Sequence, residues 1–208
     1  QYGVANATNS SIKNWLASKG LTVEDALVRD VRCGQVNVTQ QQGFFSFSTP
    51  VQFPYLPLLQ KFPPHPVTKG LEQILLEFAS PMQFGSHPDW DYTPLLTSSE
   101  RASREAVPLQ FEVQRNWTDA DFTEKNVHLA ALLSSKQPGG GSLMVISDGD
   151  FAVNGQDQRR QNEDNISLLV NGIDFLSDDT GLIDLRTKSV ETRPIEELSD
   201  SRRTALKY

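Results

Sequence analysis

Residues 127–150, VHLAALLSSKQPGGGSLMVISDGD, carry the two strongest apolar runs in the second half of the chain, Val127 to Leu133 and Leu143 to Ile146. Between them lies the turn Gln137-Pro138-Gly139-Gly140-Gly141. Neither run alternates apolar with polar residues, and continuous apolar strands suit a sheet covered on both faces. The second run ends in Ser147-Asp148-Gly149-Asp150. In open α/β sheets the carboxyl ends of strands border the ligand crevice, so these carboxylates stand where a cation or a hydroxyl-bearing ligand would be held. The expected fold is therefore α/β, with a central, mostly parallel sheet flanked by helices.

Working outward, Asn9-Ser10-Ser11 offers N-caps for a helix over residues 10–19, with Ile12, Trp15 and Leu16 as its buried face and Gly20 as its stop. The best helix runs from Glu163 to Leu176, where Ile166, Leu169, Val170, Ile173 and Leu176 recur at helical steps. Residues 26–31, 34–38, 44–48, 74–79, 92–98 and 109–113 read as strands, and Leu182 to Arg186 as a last one. Pro50, Pro54, Pro57, Pro63, Pro64 and Pro66 each lack an N–H donor. The stretch they punctuate reads as an extended apolar connection in place of helix or central strand.

The chain has 208 residues, 38% of them hydrophobic, enough for one globular domain with a real core. Its net charge is -7, and the Lys and Arg residues are scattered, with doublets only at Arg159-Arg160 and Arg202-Arg203. That argues against nucleic acid, which demands a clustered basic face. A single cysteine, Cys33, excludes an intrachain disulfide and a Cys-rich zinc site. It sits in a strand-like segment and reads as a structural thiol, although Arg29 and Arg32 would lower the pKa of a nucleophile there. No stretch approaches the roughly 18 to 20 apolar residues that span a bilayer.

Asp148 and Asp150 would need further oxygen ligands to hold a divalent ion, for which Asp157, Glu163 and Asp164 are nearest in sequence. The calcium-loop spacing is not met, and Asp-Gly-Asp is also ordinary turn chemistry, so no metal is expected. His65, His87 and His128 lie far apart with no paired-histidine motif, and the G-x-S-x-G elbow of a serine nucleophile is absent. Gly139-Gly140-Gly141 precedes a strand and lacks the Lys-Ser or Lys-Thr of a phosphate loop, so it reads as a turn. Neither a catalytic residue nor a cofactor is expected.

Three ordered segments resemble a known family. They are Phe53-Pro54-Tyr55-Leu56-Pro57-Leu58-Leu59 with His65-Pro66-Val67-Thr68-Lys69-Gly70-Leu71 and Leu75 to Met82; Leu95-Leu96-Thr97-Ser98-Ser99; and Val145 to Asn154 with the helix Asn165 to Leu176 and Asp178 to Arg186. In order and spacing they are similar to the gliding-motility (GldG-like) auxiliary proteins of bacterial ABC transporters, from about Ala26 to Arg193.

That resemblance implies an extracytoplasmic α/β domain of glutamine-amidotransferase-like or flavodoxin-like kind, from a Bacteroidetes-type protein. It lacks the upstream strand, helix and strand that begin the family's sheet, so the sheet is expected to be incomplete at its N-terminal side. Residues 1–190 would form this domain, a fragment of a longer membrane protein, and 191–208 a polar exit segment toward a membrane helix. The implied place is the periplasmic face of the cytoplasmic membrane. The implied partners are an ABC permease and ATPase, with a glycan or peptide as ligand and the membrane reached through flanking helices. The expected function is a non-catalytic transport subunit; the alternatives are a metal-dependent hydrolase using Asp148 and Asp150, or a structural envelope scaffold. Candidate binding residues are Thr97, Ser98 and Ser99 at one strand end and Ser147, Asp148, Asp150 and Asn154 at another, because both loops emerge on one edge if their strands are parallel.

Overall fold

The computed structural model describes residues 3–8, 10–42, 45–153 and 163–178. The first half of the chain forms β1 (Val4–Ala5), α1 (Ser11–Ala17), β2 (Leu21–Val23), β3 (Ala26–Asp30), β4 (Cys33–Gln42) and β5 (Phe45–Leu59). A 3-10 turn at Pro66–Thr68 leads into β6 (Ile74–Leu75), β7 (Met82–Phe84), β8 (Trp90–Thr97), β9 (Ala102–Ala106) and β10 (Leu109–Gln110). A second 3-10 turn at Asp119–Asp121 precedes β11 (His128–Ser135), β12 (Ser142–Ile146) and α2 (Glu163–Ser177).

Among the described residues every strand pair is antiparallel. The expected parallel α/β sheet, and with it the amidotransferase-like or flavodoxin-like architecture, is therefore corrected to a mainly antiparallel β fold with two α-helices among the described residues. The physical reason lies in the segment that prompted the expectation. Gly139 has φ 73° and Gly140 N–H bonds the Gln137 carbonyl, closing a tight turn that returns β12 against β11. A parallel pair would need a crossover of about a dozen residues or more.

β11 is the centre of the main sheet. His128 pairs with Thr97 of β8 and with Met82 of β7, so those strands lie on opposite edges of β11; β12 shares the β7 edge and β2 extends β7. The continuous burial expected of β11 is present, with Leu129 to Leu133 all buried. Leu95, Leu96, Leu129 and Leu132 pack with Val28, Leu59, Ile74, Leu76 and Leu168 in the largest core. A second core gathers Leu27, Phe53, Tyr55, Leu56 and Leu109, and a third Leu16, Leu21, Met82 and Leu133. β3 is wedged between the first two, Val28 facing one and Leu27 the other, which buries all five of its residues, Arg29 and Asp30 included.

Three further expectations change. β5 is one strand through Pro50, Pro54 and Pro57, where an extended apolar connection outside any sheet ladder is expected. Its outer edge pairs β6 only at Leu58 and Leu59, so most of that edge forms no ladder that a missing N–H would break. In α1, capped by Ser10, only Leu16 is buried, whereas Ile12 and Trp15 are half exposed or more. In α2, Leu169, Val170, Ile173 and Leu176 face outward, and Asn165, Leu168 and Gly172 form the packed face. A Cβ on Gly172 would stand 2.7 Å from the Met144 sulfur, so a larger residue there would oblige the end of that flexible side chain to shift. The strand expected at Leu182 to Arg186 and the exit segment 191–208 lie outside the described residues.

Candidate binding cleft

The carboxyl ends of β8 and β12 do emerge at one end of the sheet, through a route different from the one expected. Both strands run antiparallel to β11, and both finish beside its start, Thr97 opposite His128 and Ile146 opposite Ala130. They are second neighbours across β11.

At the β8 end the chain turns over a buried carboxylate. Asp30, wholly buried at the end of β3, accepts the Ser99 N–H at 2.6 Å, the Ser99 hydroxyl at 2.7 Å and the Arg32 N–H at 2.8 Å. Ser98 is also buried, and its hydroxyl oxygen accepts the Val127 N–H at 2.9 Å while its own N–H bonds the Val127 carbonyl. Asn126 adopts φ 52°, a conformation that Asn tolerates better than most residues, and donates its N–H to the Ser99 carbonyl. The loop Ser98 to Arg101 is thus pinned from β3 on one side and from the lead-in to β11 on the other.

Over this loop opens a cleft of about 300 Å³, lined by Val31, Arg32, Leu58 to Lys61, Thr97 to Arg101 and Asn126. Thr97, Ser98 and Ser99 are therefore together in it. Its walls are apolar at Val31, Leu58 and Leu59, and its rim carries Arg32, Lys61, Glu100 and Arg101. Lys61 lies 3.7 Å from Glu100 with both side chains largely exposed, and Arg101 pairs with Asp119. Arg32 forms no ion pair among the described residues, leaving a positive charge at the mouth of a cleft in an acidic protein.

The β12 end is built differently and does not line the cleft. The Asp148 carboxylate accepts the Glu77 N–H at 2.7 Å and the Asp150 N–H at 2.9 Å, fastening β12 to the segment after β6. Burial pushes its carboxyl above the ordinary Asp range, partly offset by those two N–H groups. Asp150 is exposed, and Ser147 carries a buried hydroxyl oxygen without a hydrogen-bond partner. Asn154 and Asp157 lie outside the described residues, and no group of three or more His, Cys, Asp or Glu side chains converges among the described ones. Of the two other carboxylates considered as ligands, Glu163 is exposed at the start of α2, and Asp164 accepts the N–H groups of Glu72 and Gln73. Asn165 beside it clamps Leu75 and Phe151. These side chains tie loops together.

Burial raises the Cys33 thiol pKa, with Asp30 adding to the rise, which is opposite to the activation that Arg29 and Arg32 would give. Arg29 is instead engaged with Glu105, at 3.2 Å, beneath the ring of Trp117. His128 is held below the usual histidine range by burial and by Arg104, and its Nδ1 meets the Tyr92 hydroxyl at 2.8 Å. Burial pushes that phenol up to about 12. The sequence reasoning missed Asp30, Arg32, Lys61, Arg101 and Asn126. The signal for Asp30 was present: two charged residues close an otherwise apolar strand, Ala26-Leu27-Val28-Arg29-Asp30.

Residues 1–178 match the family model described as "ABC-type uncharacterized transport system", that of the ABC transporter auxiliary proteins. Among curated proteins, none matches the sequence. No helix among the described residues is long and apolar enough to cross a membrane.

Proposed function

We propose, from the premise that the chain belongs to the auxiliary proteins of ABC-type transport systems, that it serves there as a non-catalytic binding subunit. Its cleft takes a ligand with a carboxylate, carried on a peptide or a glycan. The observation that carries this reading is the pinned loop Ser98 to Arg101 beside Arg32: a rigid floor, apolar walls and an uncompensated cation at the rim. Placed polar groups fix a small ligand's orientation in a preformed cleft, here beside the apolar wall of Val31, Leu58 and Leu59, and an arginine matches a carboxylate in a two-point contact. The side chains that a metal-dependent hydrolase would need at Asp148 are committed to backbone N–H groups.

In this reading the domain lies at the periplasmic face of the membrane, anchored by flanking helices, and assembles with an ABC permease and ATPase in gliding motility or export. The ordered resemblance to the gliding-motility branch supports those finer points.

Two measurements test the proposal. The full-length membrane protein, tagged and extracted in mild detergent, is expected to retain a permease and an ATPase; their absence overturns the transport role. For the cleft, amide shifts at Ser98 to Arg101 are followed on adding a tripeptide with a free carboxylate or its amidated form. The free acid is expected to shift them more, and Arg32→Glu to abolish the difference. Equal responses from both peptides overturn the carboxylate assignment.

A further inference from the structure

Among the described residues the β4–β5 hairpin is an arm with one mainly apolar face that nothing covers toward its tip. Cross-strand partners share a face, so the register Val36↔Val51, Val38↔Thr49, Gln40↔Phe47 and Gln42↔Phe45 puts Val36, Val38, Phe45, Phe47 and Val51 on one side, with Gln40 and Thr49 among them. The other side carries Gln35, Asn37, Thr39, Gln41, Ser46, Ser48 and Gln52. At its base the apolar side runs into the second core, where Val36 packs and Phe53 and Tyr55 are buried. Toward the tip it is bare: Phe47 is 56% and Phe45 71% exposed, their rings 6.5 Å apart. The outward part of β5, residues 45–52, is about 25 Å long at the usual strand rise.

Three observations define what covers this face. From Cys33 to Gln60 the chain has no charged residue, although 22% of the whole is charged. The outer edge of β4 from Gln35 to Gln42 carries neither the Lys nor the Pro that soluble proteins commonly place on free strand edges, whereas β5 carries Pro50, Pro54 and Pro57. And a two-stranded ribbon is at best marginally stable in water without another layer on its apolar face. The chain's net charge of -7 penalises contact between two copies over most of their surfaces. The arm is the surface on which they meet without like-charge repulsion.

We propose that this arm is the contact surface for a second copy of the chain. Two arms related by a two-fold axis pack apolar face on apolar face, Phe45 and Phe47 of one copy against Val36, Val38 and Val51 of the other. The contact is isologous, so each copy supplies both halves of it.

Sedimentation equilibrium of the 208-residue chain tests the proposal. The mass is expected to rise from that of a 23.2 kDa monomer to double as concentration passes through the micromolar range, with little dependence on salt. Phe47→Asp, at a position already exposed, is expected to weaken the dimer about tenfold or more, while the monomer's circular dichroism and melting stay unchanged. Thr39→Asp, on the opposite side of the arm, should leave the dimer within about twofold, since it touches only the polar face. A chain that remains monomeric into the hundreds of micromolar overturns the proposal. So does a dimer indifferent to Phe47→Asp, which would place the contact elsewhere. Flotation of the monomer with zwitterionic phosphatidylcholine vesicles, abolished by Phe47→Asp, would overturn it in favour of a bilayer as the arm's partner.

Discussion

The Asp30 carboxylate holds Ser99 twice, by its backbone N–H at 2.6 Å and by its hydroxyl at 2.7 Å, across sixty-nine residues of sequence. Because Asp30 is wholly buried, nothing but the protein satisfies these donors. Ser99→Ala removes one bond to a charged acceptor and is expected to lower stability by about 1.5–3 kcal/mol. Asp30→Ala strands the N–H groups of Arg32 and Ser99 together and should cost more than Ser99→Ala. Urea unfolding midpoints check both, and equal midpoints for wild type and Asp30→Ala would refute the clamp.

At the other strand end, Asp148→Asn keeps one acceptor oxygen where two N–H groups converge. One of them then faces an amide nitrogen, an expected loss of about 1–3 kcal/mol. Because burial raises the Asp148 carboxyl pKa, the wild-type contribution is complete below the unfolded value of 3.8 and declines as pH rises through the folded one. The stability difference between wild type and Asp148→Asn should therefore be larger near pH 4 than at pH 7.

His65 and His128 have the opposite sign. Both are held below the ordinary histidine value of 6.5 by burial, His128 also by Arg104. The unfolded chain binds more protons than the folded one between the folded pKa values and 6.5. Their contribution is full above 6.5 and lost as pH falls through the folded values. Denaturation midpoints are expected to drop between about pH 7 and pH 5.5, and to drop less steeply in His128→Gln.

Gly172 and Met144 offer a packing test. Gly172→Val sets a branched side chain whose Cβ would stand 2.7 Å from the Met144 sulfur, obliging it to shift, and is expected to cost about 1–3 kcal/mol. Met144→Ala alone leaves a cavity, yet in the double variant the two changes should partly compensate. A double-mutant cycle with no coupling would show that the helix approaches the sheet for another reason.

Much of the strand content was readable because apolar runs announce themselves, as at Leu129 to Leu133 and at Leu143 to Ile146. The mostly parallel sheet expected of the chain fails here: the glycine turn between these runs is too short for any parallel crossover, and that length is on view in the sequence. Strand β5 was obscured by its prolines, whose cost depends on which edge lacks a partner, a fact of tertiary structure. The outward stripe of α2 was obscured for a related reason, since a glycine and a buried asparagine made its contacts and the larger aliphatic residues were left out. At the site, the Thr-Ser-Ser loop could be singled out as a strand end, but Asp30 beneath it could not be paired with Ser99 without the fold. Asp148 and Asp150 looked alike in sequence and proved different, one buried and bonded, the other in water.

The pairing of β1 with β10, β2 with β7 and β3 with β9 has a consequence for how the molecule comes into being. None of the three N-terminal strands has a neighbour until the chain has been made past Met82, and β1 must await Leu109. Among the described strands of the first sixty residues only β4 and β5 pair locally. A chain made in order thus carries β1, β2 and β3 unpaired, and the slow search for their distant partners falls late in synthesis. That delay leaves the apolar residues of β2 and β3, Leu21, Leu27 and Val28 among them, without their sheet while the chain up to Met82 is still being made.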